Sequence, residues 1–301
     1  MSEATEAADS AGGTDGTHAA DGGTLYVVAT PIGNLSDVTL RALEVLAAVP
    51  LVAAEDTRLT KRLLDRHRIG ARLTSFHARS GPARLAALLA HLGGGADLAL
   101  VTDAGTPVIS DPGAELVAAW AAAGGLVVPI PGASAVLAAV AASGVAGPRW
   151  TFEGFLPRTG HERRERLAAI AADPRGSVVF EAPGRVAATL RDLAAACGDD
   201  RPAAVCRELT KVHETIVRGQ LGDLATAAAD GTIPARGEFV LVVGMGAAAV
   251  DAGAVEDALS AARSEVERLV AAGTARGDAA RRVAATSGIP RRRLYEAPGA
   301  D

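Results

Sequence analysis

The sequence predicts an α/β chain: two domains, each a sheet with helices packed on it, followed by a small helical appendage. Three observations carry this. Short apolar runs recur through the first half without polar alternation, as strands buried on both faces of a parallel sheet do. Each run ends in a Gly/Pro loop and a helical pattern follows, the alternation that builds such a sheet. The length of 301 residues, 49% of them hydrophobic, exceeds one ordinary domain and suffices for two cores without disulfides or metal.

Taken in order, residues 1–23 carry five acids (Glu3, Glu6, Asp9, Asp15 and Asp21) and no Lys or Arg, so a disordered acidic tail is expected there. Residues 25–29 (LYVVA) form a first buried strand, and Pro31, Gly33 and Asn34 make the loop after it. Ser36 or Asp37 then caps a helix through Leu40, Leu43 and Leu46. A second strand (51–54) leads into a basic amphipathic helix at about 59–68. The run 98–101 is another strand and continues directly into Thr102-Asp103-Ala104-Gly105-Thr106-Pro107. A helix at 115–123, a strand at 126–130 and the Pro131-Gly132-Ala133-Ser134 turn complete the first domain, assigned to 24–147. Glycine breaks and three aromatics (Trp150, Phe152, Phe155) mark a hinge at 143–158. The second domain, 148–247, has strands at 177–180, 203–207 and 239–243 and a helix at 186–196. Residues 250–301 form the appendage, two helical segments parted near Ala272-Gly273.

Several function classes drop out. No G-x-G-x-x-G follows a strand and no P-loop is present, so the usual dinucleotide and triphosphate readings fail. Cys197 and Cys206 lack partners at zinc-like spacing and read as reduced core thiols; no metal site is expected. No apolar stretch is long enough to cross a membrane, and the acidic start does not resemble a signal peptide, so a cytosolic enzyme is expected. Net charge is −5, but removing the five acids of the tail leaves 30 acids against 30 bases. On that neutral body the bases are clustered: Arg58 to Arg79 with Lys61, Arg158 to Arg166, and Arg276 to Arg293. Such stretches suit a polyanionic partner.

In parallel sheets the ligand crevice lies at the carboxyl ends of the strands, where the loops above are found. Asp103 ends a buried strand and is followed by Gly105, so it reads either as a ligand-binding carboxylate or as a turn acid; Asp111-Pro112-Gly113 just downstream reads as a turn. Gly132-Ala133-Ser134 presents small residues and free amides at a helix start. Glu55-Asp56 follows the second strand; helix capping accounts for one of these carboxylates, not both. The segment 207–214 (RELTKVHE) leaves a strand densely charged, and its Lys211 is one of only two lysines against 28 arginines. A retained lysine suggests use of a compact point charge, although a solvated turn explains it as well.

Several motifs together resemble a known family. They are LYVVATPIGNLSDVTLRALEVL (25–46), AEDTR (54–58), DAGTPVISDPG (103–113), PGASA (131–135), FEGFLP (152–157) and RELTKVHE (207–214). The chain resembles, from about 24 to 246, the small-subunit ribosomal RNA methyltransferase I branch of the tetrapyrrole-methylase superfamily. Residues 277–295 also resemble the helix-turn-helix-like end that many members carry. The resemblance implies two α/β domains with S-adenosyl-L-methionine in the cleft between them. It implies transfer to the ribose 2′-hydroxyl of a cytidine in the decoding region of 16S rRNA, free or within the 30S subunit, and usually a cytoplasmic homodimer. By the same resemblance, Asp103 contacts the cofactor and Thr106 lies near its methionine moiety. Ile32 and Gly33 match the first-strand loop, Ser134 and Ala135 match the second contacting loop, and Phe180 and Arg207 match strand ends of the second domain. The chain departs from the pattern at Ala78-Arg79-Ser80, where an acid, His and Asn are usual, and at Ala182-Pro183-Gly184-Arg185, where Ser-Pro-His-Arg is common.

A ribose hydroxyl needs help to lose its proton. Glu55, Glu181 and Glu208 stand at strand ends as possible bases. Lys211 is read as a phosphate or alkoxide stabiliser, or as a base if its pKa is depressed; Lys211 and Glu55 are the preferred catalytic residues. A tetrapyrrole methyltransferase shares the fold, but the arginine-rich segments and the GNLSD and RELTK motifs argue against it. A non-catalytic RNA-binding assembly factor shares the basic stretches, and the intact cofactor loops argue against that.

Overall fold

A computed structural model describes residues 22–246, 252–287 and 289–295, without the side chains of 252–257 and 295. All but Gly22 and Gly23 of the expected acidic tail lies outside the described residues. The chain divides after Ala138 into two compact units. The division falls within the helix Ala135–Ser143, upstream of the 147/148 boundary read from the sequence.

The first unit holds β1 (Leu25–Val28), α1 (Leu40–Ala48), β2 (Leu51–Ala54), α2 (Thr57–Arg66), β3 (Leu73–Ser75), α3 (Pro82–Gly93), β4 (Leu98–Val101), α4 (Ala114–Ala122) and β5 (Val127–Ile130). The strands form one parallel sheet in the order β3-β2-β4-β1-β5. Right-handed crossovers put connections that move one way across a sheet on one face and those that move back on the other. The core follows this rule. Ala42, Leu46 and Leu64 of α1 and α2 pack with Val28, Val52, Ala99 and Val101 on one face. Leu88, Leu92, Leu116 and Trp120 of α3 and α4 pack with Leu25, Ala53, Leu98 and Leu100 on the other. Alternate residues of β4 therefore serve opposite cores, and all four are buried, which is why its sequence shows no polar alternation. Because β4 lies between β1 and β2 but sends its helix to the opposite face, its carboxyl end is the topological switch point, where loops diverge and leave a crevice.

The second unit contains most of α5 (Ala135–Ser143), then β6 (Trp150–Phe155), α6 (Gly160–Ala172), β7 (Gly176–Glu181), α7 (Val186–Cys197), β8 (Pro202–Arg207), β9 (Thr215–Gln220), α8 (Leu221–Ala229) and β10 (Phe239–Val243). Its sheet runs β6-β7-β10-β8-β9 and is mixed: β6 and β7 are parallel and every other pair is antiparallel. Leu167, Ile170, Leu190, Leu193, Leu221 and Leu224 from α6, α7 and α8 cover one face, built of Val179, Val205, Leu241 and Val243. Among the described residues three helices follow: α9 (Ala252–Ala271), α10 (Arg276–Ser287) and α11 (Arg291–Tyr295). They share a small core of Leu259, Ala262, Val266, Ala279, Ala280, Val283 and Leu294. Gly273, at φ +90°, turns the chain between α9 and α10, where the sequence places the break.

Candidate active site

The switch point of the first sheet gathers three loops. Thr30, after β1, and Gly105, after β4, exchange two backbone hydrogen bonds (Thr30 N to Gly105 O 2.8 Å; Gly105 N to Thr30 O 3.0 Å). Gly105 sits at φ +83°, a conformation a side chain would strain. A Cβ built there would touch Ile32 Cγ2 at 3.4 Å and Ala133 O at 3.9 Å, so the loops after β1, β4 and β5 meet at this glycine. Thr106 Oγ1 donates to Ala133 O (3.4 Å). Ser134 Oγ accepts from Leu137 N (3.4 Å), capping α5 at the turn that also carries Ala135. Six sequence candidates, Ile32, Gly33, Asp103, Thr106, Ser134 and Ala135, thus lie on these converging loops.

Around them is a group of carboxylates held by short contacts. Asp56 N donates to Asp103 Oδ1 (2.8 Å), while Thr102 Oγ1 (2.7 Å) and Asp103 N (3.3 Å) both donate to Glu55 Oε2. No hydrogen bond to Glu55 Oε1 occurs among the described residues. Asp56 caps α2 and grips Arg58 at 2.6 Å, which holds its carboxyl down at about 2. Both acids of the Glu55-Asp56 pair thus have work: Asp56 caps, and Glu55 faces Thr102. Burial, reinforced by Glu55, raises the pKa of Asp103. The same two causes push Asp111 up to about 6. The sequence reads Asp111 as a turn residue. Its burial comes from the fold around it, through a loop in which Val108 and Ser110 both take positive φ.

In the second unit, the segment 207–214 is a braced loop. Lys211 Nζ lies 2.9 Å from Glu208 Oε1 and 3.0 Å from Glu238 Oε2. These contacts outweigh desolvation and raise the pKa of Lys211, so the condition set for the alternative of a Lys211 base is not met, and its ammonium is a fixed positive charge. Glu208, whose pKa the Lys211 ammonium lowers, also accepts from Glu238 N (3.0 Å). A Cβ on Gly237 would fall 2.6 Å from its carboxyl, so only glycine admits this approach. Arg207 is buried, with Nε donating to Arg236 O (2.7 Å) and Nη1 to His213 O (3.3 Å); it braces the loop ends. Phe180 packs edge-on against Phe152, with centroids 4.9 Å apart.

Glu181 is corrected as a free base. It is buried, accepts from Thr189 Oγ1 (2.6 Å) and Ala182 N (2.8 Å), and lies 3.3 Å from Arg185 Nε. Such a carboxylate is a structural tie. The departing segment at 77–80 folds on itself, with Arg79 N donating to His77 Nδ1 (3.1 Å), and its His77 and Ser80 line a cavity of about 480 Å³ together with Arg84. Cys197 and Cys206 are free thiols, and burial pushes Cys206 up to about 11. Among the described residues no group of His, Cys, Asp and Glu has the makings of a metal site, and no helix is long and apolar enough to cross a membrane.

Known proteins share this architecture. The model of the Tetrapyrrole (Corrin/Porphyrin) Methylases matches residues 24–225. A protein from Synechocystis sp. named ribosomal RNA small subunit methyltransferase I is 45% identical over 91% of this chain and 96% of its own. One of the same name from Mycobacterium bovis is 47% identical over 91% and 94%. Among solved structures, a uroporphyrin-III C-methyltransferase from Thermus thermophilus complexed with S-adenyl homocysteine superposes with a TM-score of 0.54 at 21% identity, covering 74% of this chain and 97% of that one. The motifs, the switch-point loops and similarity along nearly the whole chain agree, and the chain belongs to the tetrapyrrole methylases, in the ribosomal RNA small subunit methyltransferase I family.

Proposed function

We propose that the chain transfers the methyl group of S-adenosyl-L-methionine to the ribose 2′-hydroxyl of a cytidine in the decoding region of 16S rRNA. The observation that carries this reading is similarity of 45–47% over 91% of the chain to proteins named for methylation of small-subunit rRNA. The site fits the cofactor in charge and shape. Glu55, Asp103 and Asp111 cluster at these strand ends, and Arg58, the cation that acts on Asp103, is already paired with Asp56, so the carboxylates favour a cationic ligand. The positive-φ Gly105 and the small turn 132–135 admit close backbone approach.

When bound, the cofactor supplies a sulfonium methyl already activated for transfer. The protein's own part is to orient and to accept a proton. Asp103, Ile32, Gly33, Thr106, Ser134 and Ala135 hold the donor in this reading, which also gives Phe180 and Arg207 of the second unit a part in cofactor binding. Aligning donor carbon and acceptor oxygen supplies much of the rate. Glu55 takes the proton of the 2′-hydroxyl on its unoccupied Oε1, while Thr102 and Asp103 N hold Oε2 in place. Lys211, kept protonated by two carboxylates, stabilises a phosphate or the developing oxyanion by charge. The same reading includes a cytoplasmic homodimer that acts on 16S rRNA or the 30S subunit.

The test is incubation with methyl-labelled S-adenosyl-L-methionine and 30S subunits lacking the modification, followed by nuclease digestion and mass spectrometry. Label on a cytidine ribose is expected. No label on RNA, despite measurable cofactor binding, overturns the reading and makes a tetrapyrrole the next substrate to test.

A further inference from the structure

Beside the switch point, and wholly within the first unit, lies a second recess of about 270 Å³. Its lining includes Leu35, Leu59, Thr60, Arg62, Thr102 and Asp103. Its walls are unusual for a surface that serves only folding. Leu35, in the short 3-10 turn before α1, is 43% exposed, and Leu59, on the first turn of α2, is 40% exposed. Arg62, one turn beyond Leu59, has no hydrogen bond or ion pair among the described residues. The Thr60 hydroxyl, on a residue only 4% exposed, likewise makes no hydrogen bond among them. The floor polar groups are otherwise engaged: Thr30 Oγ1 donates to Thr102 O (3.1 Å) and Thr102 Oγ1 to Glu55.

We propose that this recess receives the acceptor nucleoside, with its base unstacked from the RNA and laid between Leu35 and Leu59 and the adjoining phosphate on Arg62. The inference rests on the rRNA 2′-O-methylation reading above and names the part of the site that would hold its substrate. Three features select this occupant. The volume falls just below the ~300–1,000 Å³ of sites for drug-sized ligands, which suits one nucleoside. Apolar faces flanking an unclaimed hydroxyl match a planar base with polar edges, and single-stranded RNA is read through bases splayed out of the stack. An unpaired guanidinium at the rim complements a phosphate. The recess also ends on Asp103, the carboxylate assigned above to the cofactor, and Glu55 is hydrogen-bonded to its floor at Thr102. A ribose attached to a base seated here is therefore next to both the donor's anchor and the proposed proton acceptor.

The experiment fills the recess and measures donor and acceptor separately. Leu59→Trp and Leu35→Trp are made in the full chain at positions already open to solvent, with melting curves confirming that each folds. Arg62→Gln removes only the cation. Affinity for S-adenosylhomocysteine is measured by calorimetry, and methyl transfer is measured against unmodified 30S subunits. Each tryptophan variant is expected to lose roughly 10²-fold in kcat/KM, the scale of a misplacement near 1 Å, while binding S-adenosylhomocysteine within about twofold of wild type. Arg62→Gln is expected to raise KM for 30S several-fold at unchanged kcat and to lower the salt dependence of 30S binding by about one unit of slope. A parallel loss of S-adenosylhomocysteine affinity in the tryptophan variants would assign the recess to the cofactor and overturn the proposal. Wild-type transfer by both tryptophan variants would overturn it as well. Failure of the unsubstituted protein to label 30S at all is a different result: it overturns the underlying rRNA reading, and this proposal with it.

Discussion

Asp111 is the residue at which the fold works hardest against its own charge. Burial and the neighbouring Glu55 lift its pKa from 3.8 to about 6, so the folded protein holds this proton more tightly than the unfolded chain does. A raised carboxyl pKa makes stability fall as pH rises from about 4 to about 6, and above that range the ionised Asp111 is a standing cost, lessened by the solvent that its half-buried carboxyl still meets. Asp111→Asn is therefore expected to raise the melting temperature at pH 8 and to change it little at pH 4, in thermal melts at the two values; an equal shift at both would contradict the assignment. Glu55 differs in having a free oxygen and a fixed one. Glu55→Gln is expected to lower kcat by ~10²–10⁴-fold, the usual share of a general base, with S-adenosylhomocysteine affinity retained. A kcat within a few-fold of wild type would remove Glu55 from the proton path. Asp103 and Glu55 are legible in the sequence because Glu55 follows an apolar strand directly and Asp103 follows one after a single threonine. Asp111 is not, since nothing local distinguishes Asp-Pro-Gly in a turn from the same tripeptide buried beside two other acids.

At the scale of elements, what can be read follows the burial pattern. β1, β2, β4 and β5 are short apolar runs, and β1, β2 and β4 lie in the interior of a parallel sheet, so composition alone marks them. Three strands escape the sequence for specific reasons. β3 is three residues of Leu-Thr-Ser at a sheet edge, and β9 is an edge strand with most of its residues exposed, so neither carries the apolar signature. β6 reads as a hinge because glycine breaks precede its crowded aromatics, and in the structure Gly154, at φ +63°, lies beside a register shift after Phe152 that breaks its alternation. The ties between elements are harder still. Arg163 of α6 donates to Thr189 Oγ1 (3.0 Å) and to Asp192 on α7, while Thr189 donates to Glu181 at the end of β7. One hydroxyl thus joins two helices to a strand, and no periodicity announces that. Thr189→Val keeps the shape but leaves a buried donor and a buried carboxylate each short of one partner. A destabilisation of roughly 1–3 kcal/mol is expected, read as a lower urea midpoint with an unchanged m-value. No change in midpoint would show that the network contributes nothing to holding α6 and α7.

For the molecule as a whole, the question is how a chain of net charge −5 holds a polyanion. The answer argued from its charge distribution is local. Outside residues 1–23 acids and bases balance, so affinity for RNA must come from where the arginines are exposed, not from the mean field. The last helices supply one such place. Arg281 and Arg282 on α10 and Arg291, Arg292 and Arg293 on α11 are exposed, whereas Leu294 turns inward to the small core these helices share. Replacing Arg291, Arg292 and Arg293 with Ala therefore removes charge from the surface and leaves the residue that docks α11 in place. Each phosphate left without its arginine should lower the slope of log affinity against log salt by about one, so the triple variant is expected to bind 30S subunits more weakly and with a slope flatter by up to roughly three. Its affinity for S-adenosylhomocysteine should stay unchanged. Asp103→Ala should do the reverse, abolishing S-adenosylhomocysteine binding while keeping the RNA affinity and its salt slope. The crossed pattern separates a surface that recruits RNA from a site that uses it, and an arginine variant that binds 30S normally at every salt concentration would move recruitment to the basic stretches around α2 and α6.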